Sequence, residues 1–164
     1  MTTMSKNAQG DGTTFSIIAF GNVEGPQGII SGDTIFRELF AKSRWYTARA
    51  SQAATPGTRV LFYQNGRGFR GTALIEGAQK RAITTLAGRG LYMTFQQELI
   101  LQECATFSEP LDIRPIINDL EFIANKRYWG HSFRSTPRRI SATDYHAIVT
   151  LCPSQPTATL QENA

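Results

Sequence analysis

Apolar residues along the chain recur with two different periods. The run FSIIAF at 15–20 is apolar apart from one serine, which predicts a buried strand, and the Gly-Asn and Gly-Pro pairs of GNVEGPQG end it. From Ser31 the period changes. Ile35, Phe36, Leu39 and Phe40 fall at helical spacing within TIFRELFAKSRW, and Ser31 and Asp33 supply capping side chains ahead of them, so a helix of a few turns is expected. Pro56 and Gly57 then turn the chain into RVLFYQ. The Asn65-Gly66 pair between that run and FRGTALIEGAQ predicts a β-hairpin. LYMTFQQELILQECATF, 91–107, keeps strand character with clearer alternation in its first half, and predicts either a pair of strands or one long bent strand. DIRPIINDLEFI predicts a short helix started by Pro115. Last, Ser141 and Asp144 open YHAIVTL as a capping box with Asp where Glu is usual.

The order strand, helix, strands, short helix, helix is not the regular alternation of a doubly wound sheet, and it predicts an α+β domain on a small, curled, mostly antiparallel sheet or barrel. With 164 residues there is room for one real core and little for two. The polar ends, 1–13 and 153–164, read as flexible tails around a single domain at 14–152. A composition of 41% hydrophobic and 18% charged residues excludes the disordered class. MTTMSKNAQGDG has no apolar stretch of the signal-peptide kind and no later run is long enough to span a bilayer, so a cytoplasmic protein without membrane partners is expected. Cys104 and Cys152 stand outside any ligand spacing, and neither metal nor cofactor is expected.

Searching for chemistry narrows the picture by subtraction. His131 and His146 are the only histidines, and no G-x-S-x-G elbow exists to carry a nucleophile. QNGRGFRG has neither the Lys-Ser/Thr of a phosphate-binding loop nor a dinucleotide fingerprint, and reads as a hairpin tip presenting Arg67 and Arg70 to solvent. The glutamates are scattered, with no pairing suited to acid and base work. No catalytic constellation results, and the protein is expected not to be an enzyme. What remains is charge beside rings. A net charge of +4 favours polyanions, and two stretches combine cations with aromatics: SRWYTARASQA at 43–53 and NKRYWGHSFRSTPRRIS at 125–141. Rings offer stacking faces for unpaired or extruded bases, and arginine offers charge with forked donors.

WYTARASQA, followed by TPGTRVLFYQ and a strand containing GTALIEG, resembles the EVE branch of the PUA-like superfamily. There an aromatic-led segment ending in an Arg-x-x-Gln-Ala-like pattern precedes Gly-Asp, a Phe-Tyr strand and a glycine-rich strand. The matching positions are Trp45, Arg49, Gln52, Ala53, Gly57, Val60, Phe62, Tyr63, Gly71 and Gly77. The closing segments LEFIANKRYWGHSFR and PRRISATDYHAI are similar to the C-terminal part of EVE-like and YTH-like domains. Three features depart from the pattern: Thr58 stands where the family has Asp, Ala50 where it has an Asn-like residue, and the basic extension 134–139 is heavier than the family's.

The resemblance implies a PUA-like pseudobarrel with flanking helices and a pocket for a modified base in DNA or RNA. Carried over, it places Trp45 and Tyr46 on one pocket wall and Trp129 with Phe133 on the other. Phe62 and Tyr63 are strand residues of which only one can face the pocket, because side chains alternate. Arg44, Arg49, Arg67, Arg70, Lys126, Arg127, Arg134, Arg138 and Arg139 are the candidate backbone contacts. The implied function is recognition of a methylated or hydroxymethylated base, as the specificity part of a restriction or RNA-processing system with a nuclease partner. Two other readings stay open: an ASCH-like nucleotide amidohydrolase or ribonuclease, although no G-x-K-x-x-E-x-R motif occurs, and a module that binds an acidic protein.

Overall fold

The computed structural model of the chain describes residues 12–152. The expected tails lie outside these residues apart from Gly12 and Thr13. Strand β1 (Thr14–Phe20) leads into a short antiparallel ribbon, β2 (Val23–Gly25) and β3 (Gly28–Ile30), and then into helix α1 (Gly32–Ala41). Ser31 starts α1 by accepting a hydrogen bond from the Thr34 N–H at 3.1 Å, which satisfies one of the unpaired donors of the first turn. Ile35, Phe36, Leu39 and Phe40 form its buried stripe. The helix is shorter than TIFRELFAKSRW suggested. Ser43, at φ 55°, redirects the chain, and Arg44 and Trp45 begin β4 (Arg44–Thr47) instead.

Next come β5 (Thr58–Gln64), β6 (Gly68–Leu86), β7 (Arg89–Leu111), two 3-10 helices (Arg114–Asp119 and Trp129–Phe133), β8 (Arg138–Ile140) and α2 (Ala142–Thr150). The strands of the main sheet lie in the order β4-β7-β6-β5-β1-β8, antiparallel except for β1 beside β5. The fold is therefore α+β on a mostly antiparallel sheet. That sheet has edges at β4 and β8, and the described strands do not close into a barrel. The parallel β1–β5 pair is possible because the ribbon, α1 and β4 intervene, giving the crossover the length that parallel neighbours require.

Strand β5 is buried on both faces, which is why VLFY at 60–63 reads as a continuous apolar run. Val60 and Phe62 enter one core cluster with α1, Trp45, Leu99 and Leu101. Leu61 and Tyr63 point the other way, into a second cluster with Phe69, Ile123, Phe133, Tyr145 and Ile148. Strands β6 and β7 form one long hairpin that turns at Ala87 and Gly88, both at positive φ (55° and 76°), as a tight hairpin turn requires. Repeated register shifts bend this pair, so 91–107 belongs to one long bent strand. At the other end of β6, Gly68 has φ 128°, and a Cβ there would stand 2.5 Å from the Leu111 carbonyl oxygen. The short helix expected at Pro115 is a 3-10 turn, with the proline in its first turn.

Asp144 joins the C-terminal elements. Its carboxylate is 1% exposed and accepts the backbone N–H groups of Glu121 and Phe122, each at 2.9 Å, while its own N–H donates to Ser141 Oγ. Ser141 thereby caps α2, and the Asp144 side chain in its first turn anchors the irregular segment that leads to the second 3-10 helix.

Candidate nucleic-acid interface

Strand β8 pairs with β1 only at 15–17, and beyond it the chain leaves through a cis Thr136-Pro137 bond. The edge of β1 at Ile18 and Ala19 is thus left without a neighbouring strand. The Thr136 hydroxyl takes over for one ladder bond, accepting the Ala19 N–H at 2.9 Å. A cleft of about 600 Å³ opens at this place, floored by Ile18 and Ala19 and walled by residues 47–51 on one side and 134–137 on the other.

Both walls are held from behind. Ser16 donates to the Ala53 carbonyl at 2.6 Å, Arg139 to the Gln52 carbonyl at 2.7 Å, and Thr47 to the Arg49 carbonyl at 3.0 Å, which fixes the loop after β4. Arg138 donates to the carbonyls of Ser132 and Phe122 and stacks over the Phe122 ring, which fixes the opposite wall. The lining combines small apolar groups (Ala48, Ala50, Pro137) with hydroxyls (Thr47, Ser51, Ser135, Thr136), and no carboxylate is among them. Arg49 and Arg134 also line it. Both are exposed, and among the described residues neither guanidinium has an ion-pair or hydrogen-bond partner.

Two smaller clefts continue the surface. The second, about 480 Å³, shares Ala19, Arg134 and Thr136 with the first and adds Asn65, Gly130 and Phe133. The third, about 300 Å³, is lined by Tyr63, Gly66, Arg67, Gly68, Asp112, Ile113, Arg114 and Trp129. Trp129 packs edge-to-face on Phe133 at 6.1 Å and reaches the third cleft, so the same ring serves core and surface. Tyr63 stacks on Phe133 at 4.0 Å. Burial raises its phenol pKa, the Asp112 charge adds to that, and Arg114 opposes.

The expected two-walled aromatic pocket is not what the structure builds. Trp45 is 3% exposed and sits in the first core cluster, with Phe62 at 4.7 Å, Phe20 at 5.0 Å and Phe40 at 6.3 Å between ring centroids. Phe62 is fully buried there, and Tyr46 packs beside it near Phe95. Trp129, Phe133 and Tyr63 belong to the second cluster, across the sheet. The rings of 43–53 and those of 125–141 therefore cannot meet, because the sheet lies between them. Thr47, two residues past Trp45, is the β4 residue that lines the large cleft.

Several expected phosphate contacts are also committed elsewhere. Arg67 and Arg70 are not free at the hairpin tip: both bond Asp33, at 3.1 and 2.6 Å, and Arg70 additionally bonds Gln64 and lies over the Phe36 ring. Arg44, together with Arg81, faces the buried Glu98 carboxylate. Burial works against the charge of Glu98, yet the hydrogen bonds from Gln79 and Arg81 and the two cations outweigh it and lower its pKa. Lys126 donates to the Leu120 carbonyl, and Arg127 lies over Tyr128. Arg138 and Arg139 hold the walls. Only Arg49 and Arg134 combine a place in the large cleft with an uncommitted charge.

Sequence reasoning missed Thr47, Ser51, Ser135 and Thr136, and it gave Asp112 and Arg114 no role. The Arg49-x-Ser51 and Arg134-Ser-Thr-Pro137 segments were the available signals. Among the described residues no cluster of His, Cys, Asp or Glu is arranged to hold a metal, and no helix is long and apolar enough to cross a membrane.

Ion pairs around the clefts set an acid limit to stability. The Arg70 hydrogen bond holds Asp33 below the ordinary carboxylate range, and Arg114 does the same to Asp112. A depressed folded pKa contributes stability above the unfolded value of about 4, and that contribution is lost as pH falls through the folded value. Melting temperature is therefore expected to fall below about pH 4, with no such loss above about pH 5. A flat profile down to about pH 3 would show that these pairs contribute nothing net.

Fold and site together define an α+β protein with a cationic, hydroxyl-lined cleft where the edge of β1 runs on beyond its pairing with β8. No protein-family model matches the chain. A Bacillus licheniformis protein described as "UPF0310 protein in gntR 5'region" is 35% identical over 78 residues, which are 48% of this chain and 50% of that protein. The chain thus spans about half the length of the curated relative it matches. A Rhodopseudomonas palustris protein, solved by NMR as a structural-genomics target, aligns over 85% of this chain and 92% of its own at 14% identity, with a TM-score of 0.43.

Proposed function

We propose that this protein is a non-catalytic nucleic-acid-binding module that reads a modified base, and that the sheet is an open variant of the PUA-like pseudobarrel its sequence resembles. The observation that carries the reading is the large cleft itself: about 600 Å³, bounded by two held walls, with two uncommitted arginines and no carboxylate in its lining. An extruded base fits such a space, with flanking phosphates on Arg49 and Arg134. Recognition in this cleft would work through hydroxyl donors and acceptors and close contact with Ala48, Ala50 and Pro137, not through an aromatic cage. A methyl or hydroxymethyl group adds apolar area or one hydroxyl, the two features such a lining can distinguish.

The test is fluorescence anisotropy with short DNA and RNA oligonucleotides, each carrying one methylated or hydroxymethylated base, at two salt concentrations. Phosphate contacts weaken with salt whereas base contacts persist, so selective binding to one modified oligonucleotide is expected to survive the higher salt. Unselective binding erased by salt would leave a charged surface without a reading pocket.

A further inference from the structure

The third cleft differs from the first in the feature that decides what part of a nucleotide it suits. Its arginines already face carboxylates: Arg114 grips Asp112 through three side-chain hydrogen bonds of 2.8 to 3.0 Å, and Arg67 shares the Asp33 carboxylate with Arg70. A phosphate gains little from cations whose charge is already opposed. What the cleft offers instead is aromatic surface. Trp129 is half-buried, its ring braced by Phe133, and Tyr63 is stacked on that same phenylalanine at 4.0 Å. The platform is therefore packed against the core from behind. Beside it, the Asp112–Arg114 pair presents acceptor and donor atoms together, the combination found on the edge of a base.

Position supports the same division. Arg134, uncommitted and exposed, lines both the first and the second cleft. Asn65 and Phe133 of the second cleft are joined to the third by the neighbouring Gly66 and by the ring contact with Trp129. An uncommitted cation thus stands at the clefts that join a base-sized space to the neighbourhood of an aromatic platform, an order that matches base, phosphate, base along one strand.

We infer that the third cleft is a second nucleotide subsite, in which the base adjoining the recognised one stacks on Trp129 and sets its edge against Asp112 and Arg114. This rests on the nucleic-acid reading above. It adds that the ligand is a single-stranded or locally opened segment of at least two nucleotides, because a base held in a duplex stack has no free face to offer.

The experiment compares, for each modified base of the oligonucleotide panel, the mononucleotide with the trinucleotide carrying that base in the centre. The trinucleotide is expected to bind about tenfold more tightly than the mononucleotide, the size of one base–aromatic stacking step. Trp129→Ala is expected to remove that advantage while leaving mononucleotide affinity within about twofold. Because Trp129 also packs on the core, Trp129→Phe and the exposed Asp112→Asn serve as independent variants. The first should cut the advantage in part, and the second should narrow the preference among neighbouring bases with and without an exocyclic amino group. A mononucleotide that binds as tightly as the trinucleotide, or an equal loss for both ligands in Trp129→Phe, overturns the second subsite and leaves the reader standing. If neither ligand binds for any modified base, both fall together.

Discussion

Replacing Arg49 and Arg134 together by alanine is expected to weaken oligonucleotide binding about a hundredfold, as the loss of two charge-assisted contacts worth about 1.5 kcal/mol each. Each guanidinium that meets a phosphate also contributes to the salt dependence. The slope of log affinity against log salt should therefore become shallower by about 0.7 per arginine on a single strand. The variant is expected to melt as the native protein does, since neither side chain bonds to another described residue. Arg37→Ala, on the exposed side of α1, removes one positive charge away from the clefts and should change affinity by less than about twofold. If Arg37→Ala and the double variant weaken binding in proportion to charge removed, the cleft has no special role and only the net charge matters.

Trp45→Ala is expected to act on the fold and not on the ligand. The indole is 3% exposed and touches Phe20, Phe36, Phe40 and Phe62, so its removal leaves a cavity between α1 and the sheet costing about 4 kcal/mol. For a domain of this size the melting temperature should drop by roughly 10 to 15 °C. Well below that melting point, the folded fraction should bind oligonucleotides with native affinity. Near-native stability combined with lost binding would return Trp45 to the ligand.

Both predictions turn on residues whose types were legible in the sequence and whose roles were not. Trp45 and Trp129 each stand in a stretch mixing rings with arginines. One is a core residue and the other is shared between core and cleft, because β4 places Trp45 towards α1 while the second 3-10 helix packs across the sheet against Tyr63 and Phe133. The arginines were equally ambiguous in one dimension. Arg67, Arg70, Arg138 and Arg139 look as free as Arg134 until Asp33 and the carbonyls of Ser132, Phe122 and Gln52 are brought beside them.

Local order was legible for physical reasons. The spacing of Ile35, Phe36, Leu39 and Phe40 with the Ser31 cap defines α1, because a helix end and its buried stripe are set within a few turns. Asn65 and Gly66 mark the β5–β6 hairpin because the turn needs a positive φ, which Gly66 supplies at 79°, and the apolar run VLFY at 60–63 belongs to a strand covered on both faces. Other features were decided only by the tertiary structure. The parallel pairing of β1 with β5, the open edges of the sheet, and the large cleft at Ile18 and Ala19 all depend on contacts between segments far apart in the chain. Asp144 holding the backbone of Glu121 and Phe122, and Arg139 holding Gln52, show the same dependence. Periodicity along a chain reports which way a side chain points from its own element. What it meets there is set by which other element packs against that face, and this is a property of the whole fold.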